Sequence, residues 1–96
     1  MSKKGYWMAM IDVQDLDIYK TYIETNGAAF ARYGAKFLVR AGRHTEPEGP
    51  TGNRHVIIEF ESYETALACY NSPEYQEALK HRLAGSVGKV AIVEGA

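Results

Sequence analysis

The stretch His55-Val56-Ile57-Ile58-Glu59-Phe60-Glu61 decides the fold. Val56, Ile58 and Phe60 alternate with His55, Ile57, Glu59 and Glu61, and a period of two places the two sets on opposite faces of a strand. Just before it, Arg43 to Arg54 (RHTEPEGPTGNR) is polar and holds two of the three prolines and two glycines, which makes it the longest plausible loop. Ahead of that loop, Ala35 to Gly42 (AKFLVRAG) reads as a partner strand with Phe37, Val39 and Ala41 on one side. Strand, loop and strand make a hairpin.

Working outward, Ser62 caps a short helix carrying Tyr63, Leu67 and Tyr70. Ser72-Pro73-Glu74 restarts it, because serine suits the cap, proline the first helical position and glutamate the first turn. Tyr75, Leu79 and Leu83 stripe this segment until Gly85, and Lys89 to Glu94 (KVAIVE) closes the chain as a strand. On the other side, Tyr6 to Val13 (YWMAMIDV) is rich in strand formers, with Trp7, Ala9, Ile11 and Val13 on one face. Asp15 or Asp17 caps a first helix striped by Leu16, Tyr19, Ile23 and Phe30, with a kink expected at Asn26-Gly27. Gly34 stands where the helix needs a left-handed terminator.

The order β-α-β-β-α-β is the ferredoxin-like pattern of the α+β class, a four-stranded antiparallel sheet with both helices on one face. The helix-free face then carries Tyr6, Met8, Met10, Leu38 and Ile57, mixed with Lys36, Arg40, His55, Glu59 and Glu61. So many large apolar groups suit water poorly, and a second copy packed face to face covers them. The expectation is a homodimer through the helix-free sheet face.

Ninety-six residues allow one domain, spanning 1–96. At 46% hydrophobic and 24% charged the chain is not of the disordered type. A net charge of −1 gives no reason to expect nucleic acid or an anionic membrane as partner. The start, Met1-Ser2-Lys3-Lys4-Gly5, is basic, but no apolar run long enough for a signal peptide or membrane span follows it. The lone Cys69 excludes an internal disulfide and fits a reducing compartment, so a cytoplasmic protein is expected.

Three runs belong together: Tyr33 to Gly42 followed by Glu48-Gly49, then Arg54 to Phe60, then Tyr70-Asn71-Ser72-Pro73-Glu74-Tyr75-Gln76 with Arg82 downstream. They resemble the domain of unknown function 1330 family within the dimeric α+β-barrel superfamily. The resemblance covers nearly the whole chain, and Ser-Pro-Glu-Tyr-Gln is its most specific part. It implies a ferredoxin-like protomer whose sheet faces a second sheet across a dimeric α+β barrel, and no established activity. Superfamily relatives include cofactor-independent monooxygenases of antibiotic biosynthesis, muconolactone isomerases, chlorite-dismutase-type haem proteins and stress-responsive proteins. Fold analogy does not choose among them.

His55 and Glu59 share a strand face, and Arg40 on the neighbouring strand is expected on that same face. Imidazole, carboxylate and guanidinium would there line a cavity able to move a proton or hold an anion. The plainer alternative is a cross-strand Arg40–Glu59 ion pair. Arg82 lies on or beside a buried stripe. It either binds a carboxylate between helix and sheet, or covers apolar surface while pairing with a glutamate. Glu77 and His81 read as a helix-surface pair. His44 opens the long loop, and no histidine pair shows a third ligand at metal-like spacing, so neither metal nor cofactor is expected. Cys69 reads as packing rather than a reactive thiol. Glu48 to Gly52 lacks the ending of a phosphate loop and reads as a mobile flap at the barrel mouth. These features point to ligand-binding candidates Arg40, Glu59, Arg82 and His55, with a small, partly apolar, anionic molecule as ligand. Cofactor-independent acid–base or monooxygenase-type chemistry is one outcome. The alternative is a non-enzymatic binding or stress-associated module with structural charges, and the sequence leaves enzyme or non-enzyme open.

Overall fold

In the computed structural model, which describes residues 3–96, the chain runs β1 (Gly5–Val13), α1 (Leu16–Arg32), β2 (Lys36–Arg40), β3 (Arg54–Phe60), α2 (Tyr63–Asn71), α3 (Pro73–Gly85) and β4 (Ser86–Glu94). Met1 and Ser2, the first residues of the basic start, lie outside the described residues. The strands form one antiparallel sheet in the order β2-β3-β1-β4, the ferredoxin-like arrangement. The Cα trace spans 39 × 32 × 16 Å, a thickness that holds one sheet and one helical layer. No helix of the described residues is long and apolar enough to cross a membrane.

Local chemistry explains the boundaries. Asp15 caps α1 by accepting from the Ile18 amide at 3.1 Å, and Gly34 ends it at φ +66°. The helix runs unbroken through Asn26-Gly27. The expected second helix is two, because Ser72 serves both. Its hydroxyl accepts from the Tyr75 amide at 3.2 Å to cap α3 and donates to the Cys69 carbonyl at 2.7 Å to close α2. β4 begins at Ser86, three residues before the expected Lys89, because the Gly85 carbonyl accepts from the Gln14 and Asp15 amides at 3.0 Å each. That clamp lays β4 beside β1 over the full register from Gly5↔Glu94 to Val13↔Ser86.

Trp7, Ile11, Val56, Ile58 and Phe60 bury their side chains under the helices, as their alternation requires. The helical stripes are rotated from those the apolar residues suggest. On α1 the buried set is Tyr19, Tyr22, Ala29 and Phe30, while Leu16 and Ile23 are exposed. On α3 it is Tyr75, Ala78, Leu79 and Arg82, while Leu83 is 65% exposed. Fully buried Ala29 and Ala78 sit within these arcs: small residues let the layers approach, and the helices turn to present them. On α2 the buried pair is Ala66 and Cys69, with Tyr63, Leu67 and Tyr70 half-buried. Trp7 anchors the aromatic core edge-on to Tyr75 (4.8 Å) and Phe30 (5.3 Å), its indole N–H donating to the Ala66 carbonyl at 2.9 Å.

One irregularity redirects a side chain. β2 pairs Phe37 with Ile58 but Val39 with Ile57, so a bulge inserts Leu38 between them. Beyond it the alternation inverts. Val39 joins the helix-free face, and Arg40, paired with Val56, moves to the helix side. Both were expected on the opposite faces.

Candidate functional site

Arg82 comes from the buried arc of α3 and is only 6% exposed. Arg54 is the first residue of β3 and pairs with Ile11, so it too points under the helices, its guanidinium carbon 5.4 Å from the centre of the Tyr19 ring. The Nε of each arginine is buried without a protein partner. Among the described residues neither has a carboxylate within ion-pair distance; the two ion pairs are Arg32–Glu74 and Lys80–Glu77 on the surface. Both arginines line a narrow cavity of about 40 Å³ between α1, α3 and the sheet, walled by Trp7, Tyr19, Tyr22, Phe30 and Tyr75. No acid and no histidine lines it. At roughly 10–15 Å³ per water-sized group it has room for about three, the scale of a carboxylate.

The tyrosines in this cavity are proton donors, not bases. The Tyr22 and Tyr75 hydroxyls bond to one another at 2.9 Å. Burial pushes the Tyr22 phenol well above its ordinary value, reinforced by Tyr75. Burial also raises Tyr75 and Tyr19, with the nearby arginines pulling partly the other way. Phenols in this state stay neutral at ordinary pH and present O–H groups to an acceptor. The electrostatics of the cavity are therefore positive charge and hydrogen-bond donors, with nothing of opposite sign.

An outer groove of about 400 Å³ leads to this cavity. It shares Asn26, Phe30, Phe37 and Arg54 with it, and adds Ile23, Gly27, Ala31 and Ala35. Arg40 lies at this outer end, its guanidinium 3.7 Å from the centre of the Phe37 ring. Three arginines thus follow one path: Arg40 outside, Arg54 at the junction, Arg82 within.

The other two sequence candidates are elsewhere. Glu59 pairs with Tyr6 on the helix-free face and accepts from its hydroxyl at 3.1 Å, which raises the Tyr6 phenol. Glu59 is not paired with Arg40, because the bulge has carried Arg40 through to the other side. His55 pairs with Met10 on the helix-free face. The long loop returns to it, so that His44, Glu46 and His55 bring ligating atoms within 4.8 Å of one another, a grouping the spacing in sequence did not show. Glu77 is bonded to Lys80 at 3.0 Å rather than paired with His81. Cys69 is fully buried beside the Ala29 carbonyl, and burial pushes its thiol up to about 12, so it stays protonated.

Residues 4–96 match the family model described as domain of unknown function (DUF1330). The chain belongs to the DUF1330 family. Among solved structures it is similar to the RPA0582 protein of unknown function from Rhodopseudomonas palustris, at 18% identity and a TM-score of 0.80, covering 100% of this chain and 85% of that one. SnoaB, a cofactor-independent oxygenase from Streptomyces nogalater, matches at 12% identity and a TM-score of 0.68, covering 99% and 95%. A dimeric ferredoxin-like protein of unknown function from Bacteroides fragilis matches at 16% identity and a TM-score of 0.64, covering 95% of each chain. Identities this low show a common fold. No curated protein matches the chain in sequence.

For this DUF1330 protein the residue that sequence reasoning missed is Arg54. The polar run Arg43 to Arg54 includes it, and the alternation starting at His55 places the third strand one residue too late. The signal was present: Arg54 lies two residues before Val56, hence on the buried face of the same alternation.

Proposed function

We propose that this DUF1330 protein binds a small molecule with an anionic head and a partly apolar body, the head at Arg54 and Arg82 and the body in the outer groove beside Phe37 and Arg40. The observation that carries this reading is the pair of inward-facing guanidiniums without a counter-charge. A desolvated positive charge is costly unless an anion or hydrogen-bond acceptors meet it, and arginine offers a carboxylate two parallel donors. The aromatic walls suit a planar apolar body.

Within this reading, monooxygenase-type chemistry without a cofactor has a physical basis. The cavity holds no side-chain base, but guanidinium and phenol donors favour the conjugate anion of an acidic phenol or enol. Such an anion is electron-rich, and the likeness of fold to SnoaB supports this use. A non-enzymatic binding module uses the same pocket and differs only in leaving its ligand unchanged.

The working unit in this proposal is a homodimer joined through the helix-free face. Met8, Met10, Leu38, Val87 and Val93 are all more than 40% exposed. The register places Met8, Met10, Val87 and Val93 on that face together with Ile57. The dimeric Bacteroides fragilis protein of the same fold supports this assembly.

The test of the pocket is thermal unfolding with benzoate against its neutral isostere benzamide. At ten times its Kd a ligand stabilises the native state by about 1.4 kcal/mol, which raises the midpoint by roughly 6 °C or more for a domain of this size. Benzoate is expected to do so, benzamide is not, and Arg54→Met is expected to abolish the difference. Equal shifts from both compounds, or none from benzoate at tens of millimolar, would refute the anionic-head assignment.

A further inference from the structure

We propose that His44, Glu46 and His55 form a binding site for a late first-row divalent cation such as Zn²⁺. Ligating atoms of the three residues lie within 4.8 Å of one another, and the two imidazole centroids are 4.3 Å apart. A tetrahedral ion with bonds of roughly 2.0–2.1 Å holds its ligands about 3.3 Å apart, so the trio closes by at most about 1.5 Å to meet it. The closing element is the loop. Residues 41–50 are all exposed and outside any helix or strand, whereas His55 is held in β3.

The hydrogen bonds show that the grouping is held together by design of the loop rather than by chance proximity. The Thr51 hydroxyl donates to Glu46 Oε2 at 2.8 Å and meets His55 Nε2 at 2.7 Å. The Thr51 amide donates to the same carboxylate oxygen. Since the hydroxyl has one proton, given to Glu46, its contact with His55 is an Nε2–H donation, which makes Nδ1 the unprotonated nitrogen. That Nδ1 is buried without a partner. The same two bonds from Thr51 fix the Glu46 carboxylate beside His55. A neutral imidazole and a carboxylate are the forms that ligate a metal. Thr51 thus bridges Glu46 and His55 on the Nε2 side, leaving Nδ1 as the ring nitrogen that offers a lone pair to a cation.

The donor set selects the ion. Two imidazoles with one carboxylate suit Zn²⁺, Co²⁺ or Ni²⁺, whereas Ca²⁺ and Mg²⁺ require mostly oxygen ligands. Three protein ligands leave at least one coordination position for water or an outside ligand. The site lies on the opposite side of the sheet from the arginine cavity and shares no residue with it, so either can fail without the other.

Isothermal titration of metal-free protein with ZnCl₂, and of the same protein with CoCl₂ followed by visible absorption, tests the site. One ion per chain is expected. His44→Ala and Glu46→Gln each alter an exposed loop residue and leave the core intact. Each is expected to weaken binding at least tenfold, since loss even of an outer-shell partner of a metal ligand costs about 10- to 100-fold. His81→Ala, on α3 and outside the trio, is expected to bind as wild type does. No binding up to 1 mM metal, unchanged affinity in the two loop variants, equal loss in His81→Ala, or one ion per two chains would each overturn the assignment.

Discussion

Arg82→Met is expected to make the free protein more stable and the ligand-bound protein less so. Methionine keeps a long unbranched stem in the α3 arc while removing the guanidinium. Arg82 is 6% exposed, its Nε has no partner, and no carboxylate of the described residues pairs with it. A buried polar group left unsatisfied costs about 1–3 kcal/mol, and loss of guanidinium packing against the tyrosines returns part of that. The net gain expected is about 1 kcal/mol, or roughly 4–8 °C in the midpoint for a domain of this length. Benzoate at ten times its wild-type Kd stabilises the wild type by about 1.4 kcal/mol and the variant hardly at all, so the order of stabilities reverses. Urea unfolding followed by fluorescence of Trp7, the one tryptophan and buried in the core, measures all four states. A free variant less stable than wild type by 1 kcal/mol or more, by this assay, makes Arg82 a structural residue. Equal benzoate stabilisation of both proteins removes it from the site.

Three further outcomes are expected. Met8→Lys with Met10→Lys places two charges on the helix-free face and is expected to convert a dimer to a folded monomer in sedimentation velocity at micromolar concentration; a wild-type monomer refutes the interface. Burial raises Tyr19, Tyr22, Tyr75 and Cys69, so folding favours their protonated forms. Stability is then retained below pH 9 and falls as pH climbs from the ordinary thiol value of 9.0 through about 12, which urea midpoints at a series of pH values will show. Gly34→Ala is expected to cost about 1 kcal/mol through its φ of +66° alone, since a Cβ there meets no atom within 4 Å. A neutral result in chemical denaturation rejects the terminator role.

The fold was legible because β3 alternates cleanly and the helix starts carry caps. Ser72-Pro73 announced a new helix, and Gly34 announced an end. Burial on the helices was less legible, since apolar spacing alone favours Leu16, Ile23 and Leu83, whereas the packed arcs run through Tyr22, Ala29, Ala78 and Arg82. A hydrophobic count gives alanine and arginine little weight, yet a close helix–sheet approach selects the first and an internal cavity accepts the second. The bulge at Leu38 had a trace in the sequence: Phe37-Leu38-Val39 is three apolar residues in a row, which breaks the period of two. Read that way, Arg40 belongs with Val56 rather than with Glu59. The trio of His44, Glu46 and His55 had no such trace, because loop closure depends on bonds from Thr51 that no local pattern encodes.

The bulge also separates two tasks that the sequence had merged. Had β2 kept a regular register, Arg40 would stand on the helix-free face with Lys36 and Glu59, adding a further charge to the surface proposed to join two copies. Inserting Leu38 sends that charge to the mouth of the arginine path and brings Val39 to the face opposite, so a single extra residue makes one side more apolar and the other more cationic. In the proposed assembly, association and ligand binding rest on opposite faces of one sheet, and β3 contributes to both: Arg54 points into the cavity, while Ile57 lies on the helix-free face. Substitutions on one face are accordingly expected to leave the other function measurable, which is the condition that makes the Met8/Met10 and Arg82 variants independent tests.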